Sequence, residues 1–522
     1  MRRVPDSNYP VRDLFGKGKH GFGPGDKTNG TIATIPGAAF MNAVQEELAS
    51  IVEAAEIDLD GNDYQQVLKA LQIIIDKRSS THVDSIADLK AKTAEADGQV
   101  VIVRGYYTDT PGMGGGLFWG DKSSLEADDG GVVIVANDGV RWRRISESLS
   151  VLDFGARPDG VTDNTGFFQS ALNYGGVSNV PEGVYKISNQ IKFTKDGSKL
   201  TGSRASKLHV GGNLSDGSVA INVAANKIKI EGLSFVADNR VTIIGSRPAD
   251  RDYEDLSVID CGFERHFYAV RIGQVNSDRH FRKILISGND STAHSIGNAS
   301  HFVCSDASHI TYSNNKTYGG QNAAAYGAYN CSNVVITGNH EYGMKDLLAG
   351  ADAAAQIENS VKATITGNNF THDIWVDDSA SVVATGNRCR RLRISVSDIA
   401  GQFDDVVFSG NIAAQIHAYG YGSSSPESRM SARFINNLLS PAGVVVNGAA
   451  ATTAIAVDGR FFKKIELISN NVTSDATTNS LNIVRNAELH LIAKDNFFGA
   501  RPVLVSSTGG IINQSGNSAQ IV

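Results

Sequence analysis

From residue 228 onward one short phrase keeps returning. Two or three alternating β-branched residues are followed by Gly-Asn or Asn-Asn, often with an aromatic two positions later. Ile284-Leu-Ile-Ser-Gly-Asn289, Val334-Val-Ile-Thr-Gly-Asn339, Ala363-Thr-Ile-Thr-Gly-Asn368 and Val406-Val-Phe-Ser-Gly-Asn411 are four instances. The Asn slot falls at 233, 261, 289, 315, 339, 368, 387, 411, 437, 471 and 496, with Leu233 and Cys261 filling the first two. The slots span 263 residues in ten intervals, about 26 residues each. A fixed period of roughly 20–50 residues means that identical units stack, each too small to bury a core alone. The apolar stretches are strand-length, no helical stripe lies between them, and a leucine-rich frame is absent. A parallel β-helix remains. Inward Val, Ile, Leu and Phe fill its lumen. Gly and Asn make its bends, because both tolerate left-handed backbone angles, and stacked Asn amides can form a ladder.

Composition divides the chain. Of 38 Asn, 33 follow residue 148. The 41% hydrophobic and 20% charged fractions exclude disorder. The net charge of −7 argues against nucleic acid as partner. No run of about 20 apolar residues exists, so no membrane insertion is expected. The N-terminus has no apolar h-region, so no secretory leader is expected. Cys261, Cys304, Cys331 and Cys389 are far apart, with neither disulfide nor zinc spacing, and buried free thiols are expected. No cofactor and no metal are expected.

Before the repeats, Phe40, Val44, Leu48, Ile51 and Ala55 form one helical stripe. Tyr64, Val67, Leu68, Leu71, Ile74 and Ile75 form another, with Asn62 or Asp63 as its cap. Short strands are expected at 100–107, 116–120, 132–135 and 140–144. The predicted organisation is a helical segment over 1–80, a β neck over 81–148, a parallel β-helix over 149–500 and a cap over 501–522.

Two stretches resemble known families. Val151-Leu-Asp-Phe-Gly-Ala-Arg-Pro-Asp-Gly-Val-Thr-Asp163, the helix ending near Leu172, and Pro181-Glu-Gly-Val-Tyr185 resemble the opening of the pectate-lyase-like right-handed β-helix superfamily. Gly166 departs from it, where a helix-forming Ala is usual. Pro36-Gly-Ala-Ala-Phe-Met-Asn-Ala43 with Tyr64-Gln-Gln-Val-Leu68 looks like the virion-proximal part of bacteriophage tail fibres and tailspikes. Ser85-Ile-Ala-Asp-Leu89, Val103-Arg-Gly-Tyr-Tyr107, Phe118-Trp119 and Arg141-Trp142 look like the neck of such proteins. The resemblance implies a mainly β protein of the phage virion, assembled in the host cytoplasm. It implies a homotrimer that attaches to baseplate or tail proteins through its N-terminus and binds host capsule or lipopolysaccharide O-antigen glycan.

Fold does not supply chemistry. Glycoside hydrolysis needs two carboxyl groups about 5–9.5 Å apart, and sugar rings need an aromatic face. The best-stocked outer surface lies between 339 and 421. Strand alternation turns Ile374 and Val376 inward and Asp373, Trp375 and Asp377 outward. In the next coils Arg391, Arg393 and His417 face out, with Tyr419 beyond. Glu341 and Asp346 in the preceding turn are further candidate acids. Asp373, Asp377, Glu341 and Asp346 are therefore the candidate catalytic residues, and Trp375, Arg391, Arg393, His417 and Tyr419 the candidate glycan platform. The competing reading of this patch is a solvated face of Asp–Arg pairs. Glu264 and His266, after the bend at Cys261-Gly262, form a second candidate pair. The expected function is glycan binding with endo-glycosidase activity. A non-catalytic adhesin and a polysaccharide lyase are the alternatives.

Overall fold

A computed structural model describes residues 8–17, 19–79, 82–247, 251–274, 279–294, 299–320, 324–344, 353–396, 405–420, 430–440, 445–446, 449–450, 453–458, 462–473, 479–484, 489–499, 504–506 and 511–518. Two helices, Ala38–Ala54 and Gln66–Ser79, form a hairpin. Its interior is small, with Val52, Ala55 and Ala70 buried, while Met41, Leu48, Leu68 and Leu71 are exposed. The second helix begins later than the apolar stripe implied, and Tyr64 stands 96% exposed ahead of it. Asp63 caps the preceding turn, accepting from the Gln65 amide at 2.9 Å.

A five-stranded mixed sheet follows between His82 and Ile145. Val101, Val103, Phe118, Ile134 and Trp142 pack against Ile86 and Leu89 of a short helix capped by Ser85. Arg144 bolts this neck to the body. Its guanidinium pairs with Asp153 at 3.1 Å, donates to the Gly131 and Gly114 carbonyls at 2.9 Å each, and stacks on Phe118. Arg157 adds a two-pronged pair to Asp109 and lies over the Tyr107 ring.

The body is a β-solenoid. Parallel strands stack into three faces, with 15 strands in the longest, 13 in the second and nine in the third among the described residues. The third face continues through a bridge at Arg388 into a further four strands. One coil runs Ser332–Thr337, His340–Tyr342, Ala353–Glu358, and the next runs Val361–Thr366, Asn369–Phe370, Asp373–Asp377. Alternate side chains fill the lumen because strand periodicity is two. Ile336, Ile365, Ala384 and Phe408 stack in register and are wholly buried. Aromatics stack the same way, with Phe235 over Phe263 at 5.3 Å. The four cysteines are free and buried.

The predicted Asn ladder is present and runs one rung beyond the last slot. It runs Asn289, Asn315, Asn339, Asn368, Asn387, Asn411, Asn437, Asn470, Asn496 and Asn517. At each rung, one Asn offers its backbone and side-chain N–H groups to the next coil's amide oxygen. Asn339 donates to Asn368 Oδ1 at 2.8 and 3.1 Å, and its Nδ2 also reaches the Tyr312 carbonyl at 2.9 Å. These bonds satisfy corner backbone groups that burial takes from water. Asn471 is not a rung, contrary to the spacing; Asn470 is. The left-handed residue always precedes the rung. In Ser469-Asn470-Asn471 that residue is Ser469, at φ 53°, whereas in Asn436-Asn437 it is Asn436, also at φ 53°. Asn471 begins the following strand, exposed. Cys261 heads the ladder, its N–H donating to Asn289 at 2.8 Å.

Candidate functional site

The 13-stranded face carries the patch that alternation predicted around Asp373 to Tyr419. Register aligns Gln356, Trp375, Arg393 and His417 in one outward column. It aligns Tyr329, Glu358, Asp377, Ser395 and Tyr419 in the next. Adjacent strands stand ~4.8 Å apart, so side chains on neighbouring coils touch.

Asp373 starts its strand on the outward side but is completely buried. Arg390 Nε and Arg391 Nε each donate to its carboxylate at 2.8 Å, and Arg393 Nη1 lies 3.3 Å away. Burial pushes this carboxyl up, and the guanidinia of Arg391 and Arg390 outweigh it, so the group stays below the usual carboxylate range. It is a fixed anion that orients three arginines. The expectation of an outward, reactive Asp373 is corrected accordingly. Arg391 and Arg393 are likewise covered rather than open, at 3% and 4% exposure. Alternation gives the side of the sheet and says nothing of how densely long neighbours pack over it.

Arg393 lies 4.1 Å from the Trp375 ring centre and 5.7 Å from that of Tyr419, whose hydroxyl accepts from its Nη2. Trp375 is half-buried and donates Nε1–H to Ser395 Oγ at 2.6 Å. His417 stacks on Tyr419 at 4.5 Å. Burial and the Arg393 and Arg391 charges push the imidazole down to about 4, so it is neutral at ordinary pH.

Asp377 is half-buried, and Ser395 donates to it. Burial, with the nearby Asp378 and Glu358 charges, pushes its carboxyl up to about 6. Glu358 occupies the register-paired position one coil earlier. Its carboxyl is also raised, by burial and Asp378, although Gln356 Nε2 donates to it at 3.0 Å. Two adjacent carboxyls that share a site and resist ionisation are suited to acid–base work near neutrality. The sequence reading missed Glu358. The signal was present, since Gln356-Ile-Glu-Asn-Ser360 and Trp375-Val-Asp-Asp-Ser379 occupy one frame of the repeat.

Glu341 is elsewhere. It is fully buried in the lumen, where it accepts from the Thr371, His372 and Met344 amides and from His372 Nδ1 at 3.2 Å. Burial raises its carboxyl, and His372 more than offsets that. It does not reach the patch surface, which corrects its place as a candidate acid. Asp346 lies outside the described residues. The pair at 264–266 is split: Glu264 is exposed, while a register shift between them turns His266 inward, to Ser291 Oγ at 2.8 Å. Ser291 in turn contacts His301 Nδ1 at 2.8 Å. Among the described residues no group of acidic, His and Cys side chains is arranged to hold a metal ion.

Residues 82–147, the neck, match the family described as the phage tail protein small four-stranded beta-sheet domain. The neck thus matches a phage tail domain, and the body that follows it is a β-solenoid. Among curated proteins, the Mu-like prophage FluMu defective tail fiber protein of Haemophilus influenzae is 32% identical over 155 residues, which cover 26% of this chain and 25% of that protein. The uncharacterized protein StfP of Escherichia coli is 35% identical over 94 residues, covering 18% of this chain and 44% of that one. The chain thus spans less than half the length of either relative. Among solved structures, the full-length tailspike protein 2 of an Escherichia coli bacteriophage is 16% identical at a TM-score of 0.48, covering 83% of this chain and 58% of that one. That likeness is one of fold alone.

Proposed function

We propose that this protein is a receptor-binding component of a phage virion that recognises a host surface polysaccharide, capsule or O-antigen, and cleaves it by glycoside hydrolysis on the 13-stranded face. The reading rests on Glu358 and Asp377, paired on adjacent coils with raised carboxyls. Asp377 is the proton donor to the glycosidic oxygen, because a carboxyl that titrates near 6 still holds protons where ordinary ones do not. Glu358 is its partner, acting as base or nucleophile. Trp375, backed by Arg393, offers the face on which a pyranose ring packs. Asp373 holds the arginines behind it.

The N-terminal hairpin joins the virion, and three copies associate there. Its exposed Met41, Leu48, Leu68 and Leu71 support this, because a two-helix hairpin with so small a core gains stability by burying that face against other copies. Incubation with polysaccharide from strains that adsorb the protein should release reducing oligosaccharides, with no unsaturated product absorbing in the ultraviolet. Binding without release would establish the adhesin reading, and unsaturated products the lyase reading.

A further inference from the structure

The outward column that contains Trp375 and Arg393 extends back through Gln356, Gly327 and Val303 to Arg271. There the Arg271 guanidinium lies 4.7 Å from the Tyr268 ring centre. Its Nε is buried with no hydrogen-bond partner among the described residues. The arrangement repeats Arg393 on Trp375, but Arg393 has a carboxylate against it and, among the described residues, the Arg271 fork has none. Between the two, the column shrinks to Val303 and Gly327, and a Cβ added to Gly327 would stand 2.8 Å from the Tyr329 ring. Val303 and Gly327 are both buried, and the Tyr329 ring lies over Gly327. Tyr329 lies within the electrostatic reach of Tyr268 and Arg271. Its hydroxyl donates to Gln356 Oε1 at 3.1 Å, and Gln356 leads to Glu358. One continuous row therefore connects Tyr268 and Arg271 to the carboxyl pair.

From this geometry we infer that Tyr268 and Arg271 form a second subsite, across the carboxyl pair from Trp375 and Arg393, that takes a carboxylate-bearing sugar residue. The inference rests on reading this face as a glycan site and narrows it: the glycan is acidic and lies along the solenoid axis. A guanidinium presents a planar fork that matches a carboxylate, and the tyrosine ring packs on the apolar face of the sugar. Arg271 and Trp375 are four register steps apart, about 19 Å at ~4.8 Å per step. Each step is close to one pyranose length, so the two clamped sugars are about four residues apart, with about three between them.

The test uses the full chain and polysaccharide from a strain that adsorbs it, native or with its carboxyl groups chemically reduced to hydroxymethyl. Carboxyl reduction should weaken binding by wild type about tenfold or more. Arg271→Gln should weaken binding of the native glycan to a similar extent and lose little further on reduction. Arg271→Lys, which keeps charge without the fork, should fall between, and thermal unfolding of both variants should match wild type. Equal affinity of wild type for native and reduced glycan, or wild-type affinity in Arg271→Gln, overturns the inference and leaves the glycan reading standing. Failure of wild type to bind any polysaccharide from adsorbing strains overturns the glycan reading and this inference with it.

Discussion

Glu358 and Asp377 face the same way from neighbouring coils, in register, and neither carboxyl ionises as readily as a free one. Most of what the 13-stranded face can do follows from that relationship, and the surrounding residues explain how a solenoid sustains it.

A raised carboxyl in the folded state carries a stability signature. Asp377 titrates near 6 when folded and near its ordinary value of 3.8 when unfolded. Between those values the folded protein holds more protons, so this group's contribution falls as pH rises through the window and stays low above it. Asp377→Asn should therefore unfold at higher temperature than wild type at pH 7.5, by on the order of 1 kcal/mol in stability. The two should converge near pH 3.5. An equal difference at both pH values would show that the carboxyl is not strained by its site.

Asp373 should behave as a structural anion. Removing one partner of a buried ionic cluster leaves charge uncompensated and costs roughly 3–5 kcal/mol. Asp373→Ala should lower the urea midpoint accordingly, with glycan binding reduced because Arg393 no longer supports Trp375. A variant with wild-type stability would mean the arginines do not depend on it.

The Asn ladder is equally testable. Asn368→Ala removes the acceptor of two N–H groups of Asn339 and should cost about 1–3 kcal/mol. Asn369→Ala, at the exposed neighbour, should stay within about 0.5 kcal/mol of wild type. Chemical denaturation of the two side by side separates a rung from a surface residue.

At the joint between neck and body, Arg144→Ala deletes three contacts that hold Gly114, Gly131 and Asp153 together. Limited proteolysis should then cut near residues 146–158 at least several times faster than in wild type. Unchanged protection would mean that Arg157 and the tyrosines alone secure the joint.

The solenoid was legible because its period and its Gly-Asn bends are dictated by local backbone chemistry, which sequence displays directly. The outward side of the Asp373–Asp377 strand was legible for the same reason, since alternation is geometry. What alternation cannot express is crowding. Three arginines converge on Asp373 from the next coil, and His372 meets Glu341 inside the lumen from 31 positions away. Such pairings depend on coil length, which varies from turn to turn, whereas Asn471 was misplaced because Ser469 takes the left-handed position before its Asn pair, and Glu358 went unnoticed although its frame repeats that of Asp377. The neck motifs carried further, because a short domain with fixed turns repeats whole phrases rather than scattered residues.

The central claim is that Glu358 and Asp377 perform acid–base chemistry on a glycan held across neighbouring coils. Oligosaccharide release and affinity should be measured together on polysaccharide from an adsorbing strain, for wild type, Glu358→Gln, Asp377→Asn and the double variant. The account predicts that each single variant loses at least about a hundredfold in release while binding stays within a few-fold of wild type, and that the double variant is little worse than either. Release by both single variants at the wild-type rate would contradict it.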